Sequence, residues 1–262
     1  MEDTMFTEFD KRMKDDYEKR AQTSLTRRIP VLIRVDGRAF HSFCRRFEKP
    51  YSPILNTYLN DTMRYICKGV QGCKFAQRHS DEISLLVTDY DTLQTDAFFD
   101  YNVQKICSIV ASMATGKFCR RLITDNQFLK QDEEWPSFDC RCFNIPQEEI
   151  VNYFWWRMLD ATRNSINMLG QSLFSHKDLQ GKTCEQIQEM LFSKHNINWN
   201  DLSQGQKTGF VCARTKESKP IEKGPKAGEM VLRSIWQVRE GVKTRTELQE
   251  IINSIEFRRA EP

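Results

Sequence analysis

What this sequence lacks narrows its identity before any motif does. No run of about 18 apolar residues occurs in its 262 residues and the mean hydropathy is −0.61, so a membrane-spanning helix is excluded. The first residues, Met1-Glu2-Asp3-Thr4, carry no basic-then-apolar leader. The expected setting is therefore intracellular: cytoplasmic, with mitochondrial residence left open. The nine cysteines include no Cys-x-x-Cys pair, and the four histidines (His41, His79, His176, His195) stand at no metal-ligand spacing from them. Reduced thiols are expected rather than a disulfide frame or a zinc site. A Walker-type glycine-rich loop, Gly-x-Ser-x-Gly and His-Glu-x-x-His are all missing, which leaves P-loop NTPase, α/β-hydrolase and zincin chemistry without support.

Apolar material is not scarce. Hydrophobic residues make up 39% of the chain against 29% charged, which excludes a wholly disordered protein. Net charge is 39 − 36 = +3, too small by itself to indicate a nucleic-acid partner. Its distribution says more. Residues 11–28 hold seven Lys/Arg against three acids and residues 207–226 six against two, whereas residues 89–149 hold eleven acids against six bases. Clustered cations on a near-neutral chain suit a polyanion. Solvated helix and loop faces account for the same runs equally well.

The spacing of apolar residues predicts an ordered series of elements. Met5–Gln22 is polar and helix-prone, and Val31–Asp36 reads as a buried strand ending at Gly37. Ser52-Pro53 starts a helix that runs to about Gly69. Strands Gly72–Arg78 and Glu82–Thr88 follow, separated only by His79-Ser80-Asp81, which predicts a tight hairpin. A helix over Tyr101–Arg121 and a strand over Pro136–Asn144 complete a βαββαβ order, the ferredoxin-like split unit. A long aromatic-rich helix after Pro146, a helix at Cys184–Lys194, apolar runs Gly209–Ala213 and Met230–Val238, and a helix at Arg245–Phe257 make up a mixed remainder. Lys216–Gly228, with Lys216, Lys219, Lys223 and Lys226, reads as a basic solvated loop between two strands. The expected division is residues 1–146 as a palm-like core and 147–262 as an accessory helical or mixed region packed on it.

That order has a geometric consequence. First and third strands are antiparallel neighbours in such a unit, so Asp36 and Asp81 should meet at one sheet edge although far apart in sequence. Adjacent carboxylates repel unless a cation is present, and oxygen ligands suit Mg²⁺, which can act as a pair of ions in phosphoryl displacement. Gly37 permits close backbone approach, and Gly37-Arg38-Ala39-Phe40-His41 could aim amides at a triphosphate. An Asp-Gly turn and a Ser-Asp-Glu strand cap remain the plain alternative.

The residues themselves resemble a known family. Ile33-Arg34-Val35-Asp36-Gly37-Arg38-Ala39-Phe40-His41-Ser42-Phe43 is similar to the first signature of the tRNA-histidine guanylyltransferase superfamily, and Ser80-Asp81-Glu82-Ile83-Ser84 to its second. Phe138–Pro146 followed by Asn152-Tyr153-Phe154-Trp155-Trp156-Arg157 resembles the third block of the guanylyltransferase-like branch. The resemblance runs in order from about residue 29 to 170. It implies an α+β polymerase palm and a 3′–5′ nucleotidyltransferase that activates a tRNA 5′ end with ATP. Asp36, Asp81 and the Gly37 carbonyl would hold two Mg²⁺, with Glu82 as a supporting acid. Gly37, Arg38, Ala39, Phe40, His41, Ser80 and Lys105 would bind nucleotide phosphates, while His41, Phe47 and Lys49 would meet a base. ATP and GTP or other NTPs would be substrates, tRNA the partner, and a homotetramer (a dimer of dimers) the assembly.

One departure bears on the activity. Where the guanylyltransferases proper carry His-Ile-Asn-Asn, this chain has Asp160-Ala161-Thr162-Arg163-Asn164-Ser165-Ile166, with no histidine. The expectation is therefore templated repair of 5′-truncated tRNAs, with guanosine addition to histidine tRNA as the alternative. Arg157, Asp160 and Asn164 are candidates for the 5′ phosphate or incoming nucleotide. A nucleotide cyclase-like enzyme and a non-catalytic RNA-binding module are the other readings. Against the module, Val31–Val35 and Glu82–Thr88 offer mainly aliphatic faces. Trp155-Trp156 could stack a nucleobase, but neighbouring helix positions diverge, so at least one should pack inward.

Overall fold

A computed structural model of the chain describes residues 2–125, 135–220, 222 and 228–255. Chain order begins with helix α1 (Glu2–Met13), strand β1 (Val31–Gly37), the single-turn α2 (Phe40–Phe43) and α3 (Pro53–Gly69). Strands β2 (Cys73–His79) and β3 (Glu82–Val87), helix α4 (Val103–Thr124) and strand β4 (Phe138–Asn144) follow. The second part holds α5 (Ile150–Leu173), α6 (His176–Leu179), α7 (Cys184–His195), α8 (Gln204–Thr208), β5 (Phe210–Pro220), β6 (Met230–Glu240) and α9 (Arg245–Ser254). The fold is mixed α+β. No helix among the described residues is long and apolar enough to cross a membrane.

Local chemistry sets the element ends. Ser52 caps α3 by accepting from Leu55 N at 3.3 Å, with Pro53 in the first turn where its missing N–H costs nothing. Asn102 caps α4 through Lys105 N at 2.9 Å. The β2–β3 turn is two residues long, Ser80 and Asp81, closed by His79 opposite Glu82.

All six strands form one antiparallel sheet in the order β4-β1-β3-β2-β5-β6. Strand alternation divides its faces. Val31, Ile33 and Val35 of β1, with Ile83, Leu85 and Val87 of β3, bury against α3 and α4. Leu32, Phe75 and Leu86 point the other way, under Ile150, Val151, Phe154 and Met158 of α5. Arg34, Ser84 and Gln77 are on that second face too, so its core is apolar at one end and polar at the other.

The loop expected from Lys216 onward begins later. Lys216 and Lys219 lie within β5, paired with Ser234 and Val231 of β6. The buried end of the ladder, with Cys212 opposite Val238 and Arg214 opposite Trp236, sets a register that the polar remainder continues, because a ladder needs backbone partners rather than apolar side chains. Lys223 and Lys226 lie outside the described residues, as does the end of the expected last helix.

Candidate active site

Because β1 and β3 are antiparallel neighbours, with Val35 opposite Ile83, the end of β1 and the β2–β3 turn share one sheet edge. Asp36 and Asp81 both line a cavity of about 420 Å³ at that edge, together with Ser80 and Glu82. Arg157, Asp160 and Asn164 of α5 form its opposite wall. Two larger grooves, about 670 and 700 Å³, open elsewhere on the surface, but neither gathers these carboxylates.

Gly37 is what lets the edge close. A methyl group built on it would fall 2.6 Å from Asp81 Oδ2 and 2.3 Å from the Phe40 ring. The turns after β1 and between β2 and β3 are tight as well: Ala39 adopts φ +53° in the first and Ser80 φ +50° in the second, a left-handed conformation that side-chain-bearing residues seldom take.

Burial pushes the Asp81 carboxyl from its ordinary 3.8 up to about 6. Hydrogen bonds from Ser80 Oγ, at 2.8 Å, and from a main-chain amide oppose this, while the charges of Asp36 and Glu82 add to it. Among the described residues neither Asp36 nor Asp81 forms an ion pair with a lysine or arginine side chain. Glu82 differs. Arg157 grips it with Nε and Nη2, both at 2.7 Å, and also reaches Asp160 Oδ2 at 3.0 Å. Asp160 in turn accepts from Arg163 at 2.5 Å and Asn164 at 3.3 Å.

Sequence reasoning passed over Arg78, which the structure puts under the site. It is 1% exposed, and it donates to Asn60 Oδ1 and Asn56 Oδ1 at 2.9 Å each and to the Ser80 carbonyl at 2.6 Å. Its guanidinium also lies 4.7 Å from the Phe210 ring centroid. Burial lowers its pKa to about 9, with Asp81 opposing, so it stays charged at neutral pH. Arg78 thus holds the turn that carries Asp81. Arg78 follows Lys74 and Gln77 in a mixed strand, so nothing in the sequence singled it out. Gly209 was also missed: at φ +82°, a methyl group there would strike the Arg78 carbonyl at 2.1 Å.

Several expected nucleotide contacts take other roles. The Arg38 amide donates to Ser137 O at 2.9 Å, which leaves Ala39, Phe40 and His41 to supply amides. The Phe40 and Phe47 side chains are core, Phe40 4.8 Å from Phe138 and Phe47 5.7 Å from Phe43 between ring centroids, so Phe47 is not placed to meet a base. His41 and Lys49 are exposed, and Lys49 leads into Pro50 and Tyr51 of the cavity wall. Lys105 is not brought to the site. Its turn of α4 is tied to the other sheet edge, where Val103 N donates to Thr23 O at 2.8 Å. Thr115, beside the site through Phe138 N, lies about 15 Å further along the helix at 1.5 Å per residue. The first turn of α4 is near the cavity in sequence order only.

The residues present fit a magnesium-type ion. Among the described residues no group of three or more His, Cys, Asp or Glu converges as a ligand set. Two carboxylates beside a carbonyl suffice for Mg²⁺, which retains water and takes its remaining ligands from a substrate's phosphates.

Comparison with known proteins specifies what this sheet, with its acidic groups at a cavity edge, belongs to. The family model for tRNAHis guanylyltransferase (Thg1) matches residues 10–146, just over half of the chain. A probable tRNA(His) guanylyltransferase of Dictyostelium discoideum is 28% identical over 212 residues, covering 76% of this chain and 78% of that protein. A solved bacterial tRNA(His) guanylyltransferase (Thg1)-like protein in complex with ATP matches with TM-score 0.82 at 34% identity, covering 95% of this chain and 99% of that one. A second, in complex with GTP, matches with TM-score 0.74 at 32% identity and the same coverage. By class, then, this is a nucleotidyltransferase. The chain belongs to the tRNAHis guanylyltransferase family.

Proposed function

We propose that this chain joins nucleotides to the 5′ end of a tRNA at the Asp36–Asp81 edge, using ATP to activate that end. The observation that carries the reading is the meeting of Asp36 and Asp81 over Gly37 in a cavity whose far wall is polar. Names of the curated relatives favour guanosine addition to histidine tRNA over the templated repair expected from sequence.

In this reading the four strands β4-β1-β3-β2 with α3 and α4 are a ferredoxin-like palm, residues 1–146, on which residues 147–262 pack as an accessory part. A 5′-monophosphate is a poor electrophile. Its oxygen first attacks the α-phosphorus of ATP with release of pyrophosphate. The 3′-hydroxyl of an incoming GTP then attacks the 5′ phosphorus, and AMP leaves. Mg²⁺ bound by Asp36, Asp81 and the Gly37 carbonyl would supply charge neutralisation for phosphoryl transfer. Arg78 fixes the Asp81 turn from below. Arg157, committed to Glu82 and Asp160, acts as a positioning residue rather than an open phosphate ligand. Asn164, tied to Asp160 alone, remains on the wall facing an incoming nucleotide.

Templated repair is kept as a second reading because Asp160 and Asn164 line this cavity from a helix segment, Asp160 to Ile166, that carries no histidine. Histidine tRNA, and truncated tRNAs with each base opposite the added position, separate the two. Guanosine added whatever base lies opposite supports the first reading. Addition that follows the opposing base supports the second, and no 5′ addition rejects both.

A further inference from the structure

On the α5 side of the sheet, β4 and the neighbouring part of β1 present a polar and aromatic shelf beside the carboxylates. Phe143 of the edge strand lies 5.9 Å from Tyr153, and Tyr153 lies 5.9 Å from Trp156, between ring centroids. The row is exposed where a ligand could use it: Trp156 is 52% exposed and Phe143 36%. It is also braced from beneath. Tyr153 OH is 3.0 Å from Ser84 Oγ, and the Arg157 guanidinium lies 4.4 Å from the Trp156 ring centroid while gripping Glu82. Trp155, by contrast, packs against the buried cluster beneath α5.

Cations flank the row. Arg141 sits two residues before Phe143, hence on the same strand face, with half its side chain exposed. It donates to Asp139 Oδ1 at 3.0 Å, and the charges of Asp36 and Glu82 act on it as well. Flat exposed rings beside guanidinium groups, next to a phosphate-transfer edge, match the means by which proteins hold unpaired nucleotides. An apolar protein partner would gain little from a shelf bearing Arg141 and Asp139.

We infer that Trp156 stacks the terminal base at the 5′ end of the RNA, with Arg141 meeting the phosphate that follows. This rests on the proposed function and adds the residue that positions the acceptor end. Burying a hydrophobic side chain does not account for Trp156, since the ring is held in place yet left open.

The test uses histidine tRNA, full-length and lacking its first nucleotide, each carrying 2-aminopurine as its 5′-terminal base. Binding to the wild-type chain should quench the probe, Trp156→Ala should abolish that quench, and Trp156→Phe should retain most of it. Loss of one base–aromatic stack should raise the tRNA Kd about 5- to 100-fold. GTP affinity should stay unchanged. Phe192→Ala removes a ring on α7 that is 56% exposed and should bind the probe as wild type does. A wild-type chain that leaves the fluorescence unaltered, or a Trp156→Ala chain with wild-type quench and Kd, overturns the assignment. Failure of the functional reading has a different signature: no nucleotide joined to the RNA 5′ end by the wild-type chain, whatever the quench.

Discussion

Asp81→Asn should cost activity and gain stability. The wild-type carboxyl titrates at about 6 in the folded chain against an ordinary 3.8, chiefly because it is buried. At 1.36 kcal/mol per pKa unit, that displacement is about 3 kcal/mol. The folded state holds the proton more tightly than the unfolded state does, so the stabilisation is full below about pH 4. It is lost as pH rises to about 6, beyond which the ionised group is a constant burden. Asparagine keeps the size and most hydrogen bonds without the charge. The variant should therefore exceed wild type in stability at pH 8 by up to about 3 kcal/mol and match it near pH 4. For a chain of this length that is a Tm gain of roughly 5–10 °C at pH 8. Thermal unfolding from pH 4 to 8, in chelator, reads the difference directly. Adding Mg²⁺ at pH 8 should then raise the Tm of wild type more than that of the variant, since binding to the folded state stabilises it. A pH-independent difference, or a less stable variant at pH 8, refutes the argument.

Asp36→Ala should lower nucleotide addition by about 10³-fold or more while far-ultraviolet circular dichroism stays native, and a variant of wild-type activity rejects its role. Gly37→Ala should lose activity together with about 1–3 kcal/mol of stability, because its methyl group would collide with Asp81 and Phe40; urea unfolding and transfer assays read both. Arg157→Met takes both close hydrogen bonds from Glu82, which is only 18% exposed and keeps Arg34 at 3.9 Å, and one of three from Asp160; it should destabilise the chain by about 1–3 kcal/mol at pH 7 and by less at pH 4, as measured by urea midpoint.

Strands and helices of the first half were legible because each carries its own period and punctuation. Ser52-Pro53 marks a helix start, and the residues between two apolar runs mark a hairpin, whatever the rest of the chain does. Strand order then brought Asp36 to Asp81 by geometry alone. The partners of those residues were less visible. Arg78 finds its amides on α3, 18 and 22 residues away, and nothing in strand periodicity announces that. Lys105 matched a motif position, yet its helix turn is anchored to residues before β1, a contact far apart in sequence. Phe47 reads as an aromatic beside cations and is claimed by the core cluster around Phe43. Extension of the sheet by β5 and β6 depended on β2 being left with an open edge, which composition does not reveal.

The central claim is nucleotide transfer to an RNA 5′ end at the Asp36–Asp81 edge. Its most direct test incubates purified chain with 5′-monophosphorylated histidine tRNA, ATP and α-labelled GTP in Mg²⁺, then maps the label after nuclease digestion. The account predicts labelled guanosine at the 5′ end, dependent on ATP and absent with Asp36→Ala. Label at the 3′ end, no label on the RNA, or equal labelling by Asp36→Ala would contradict it.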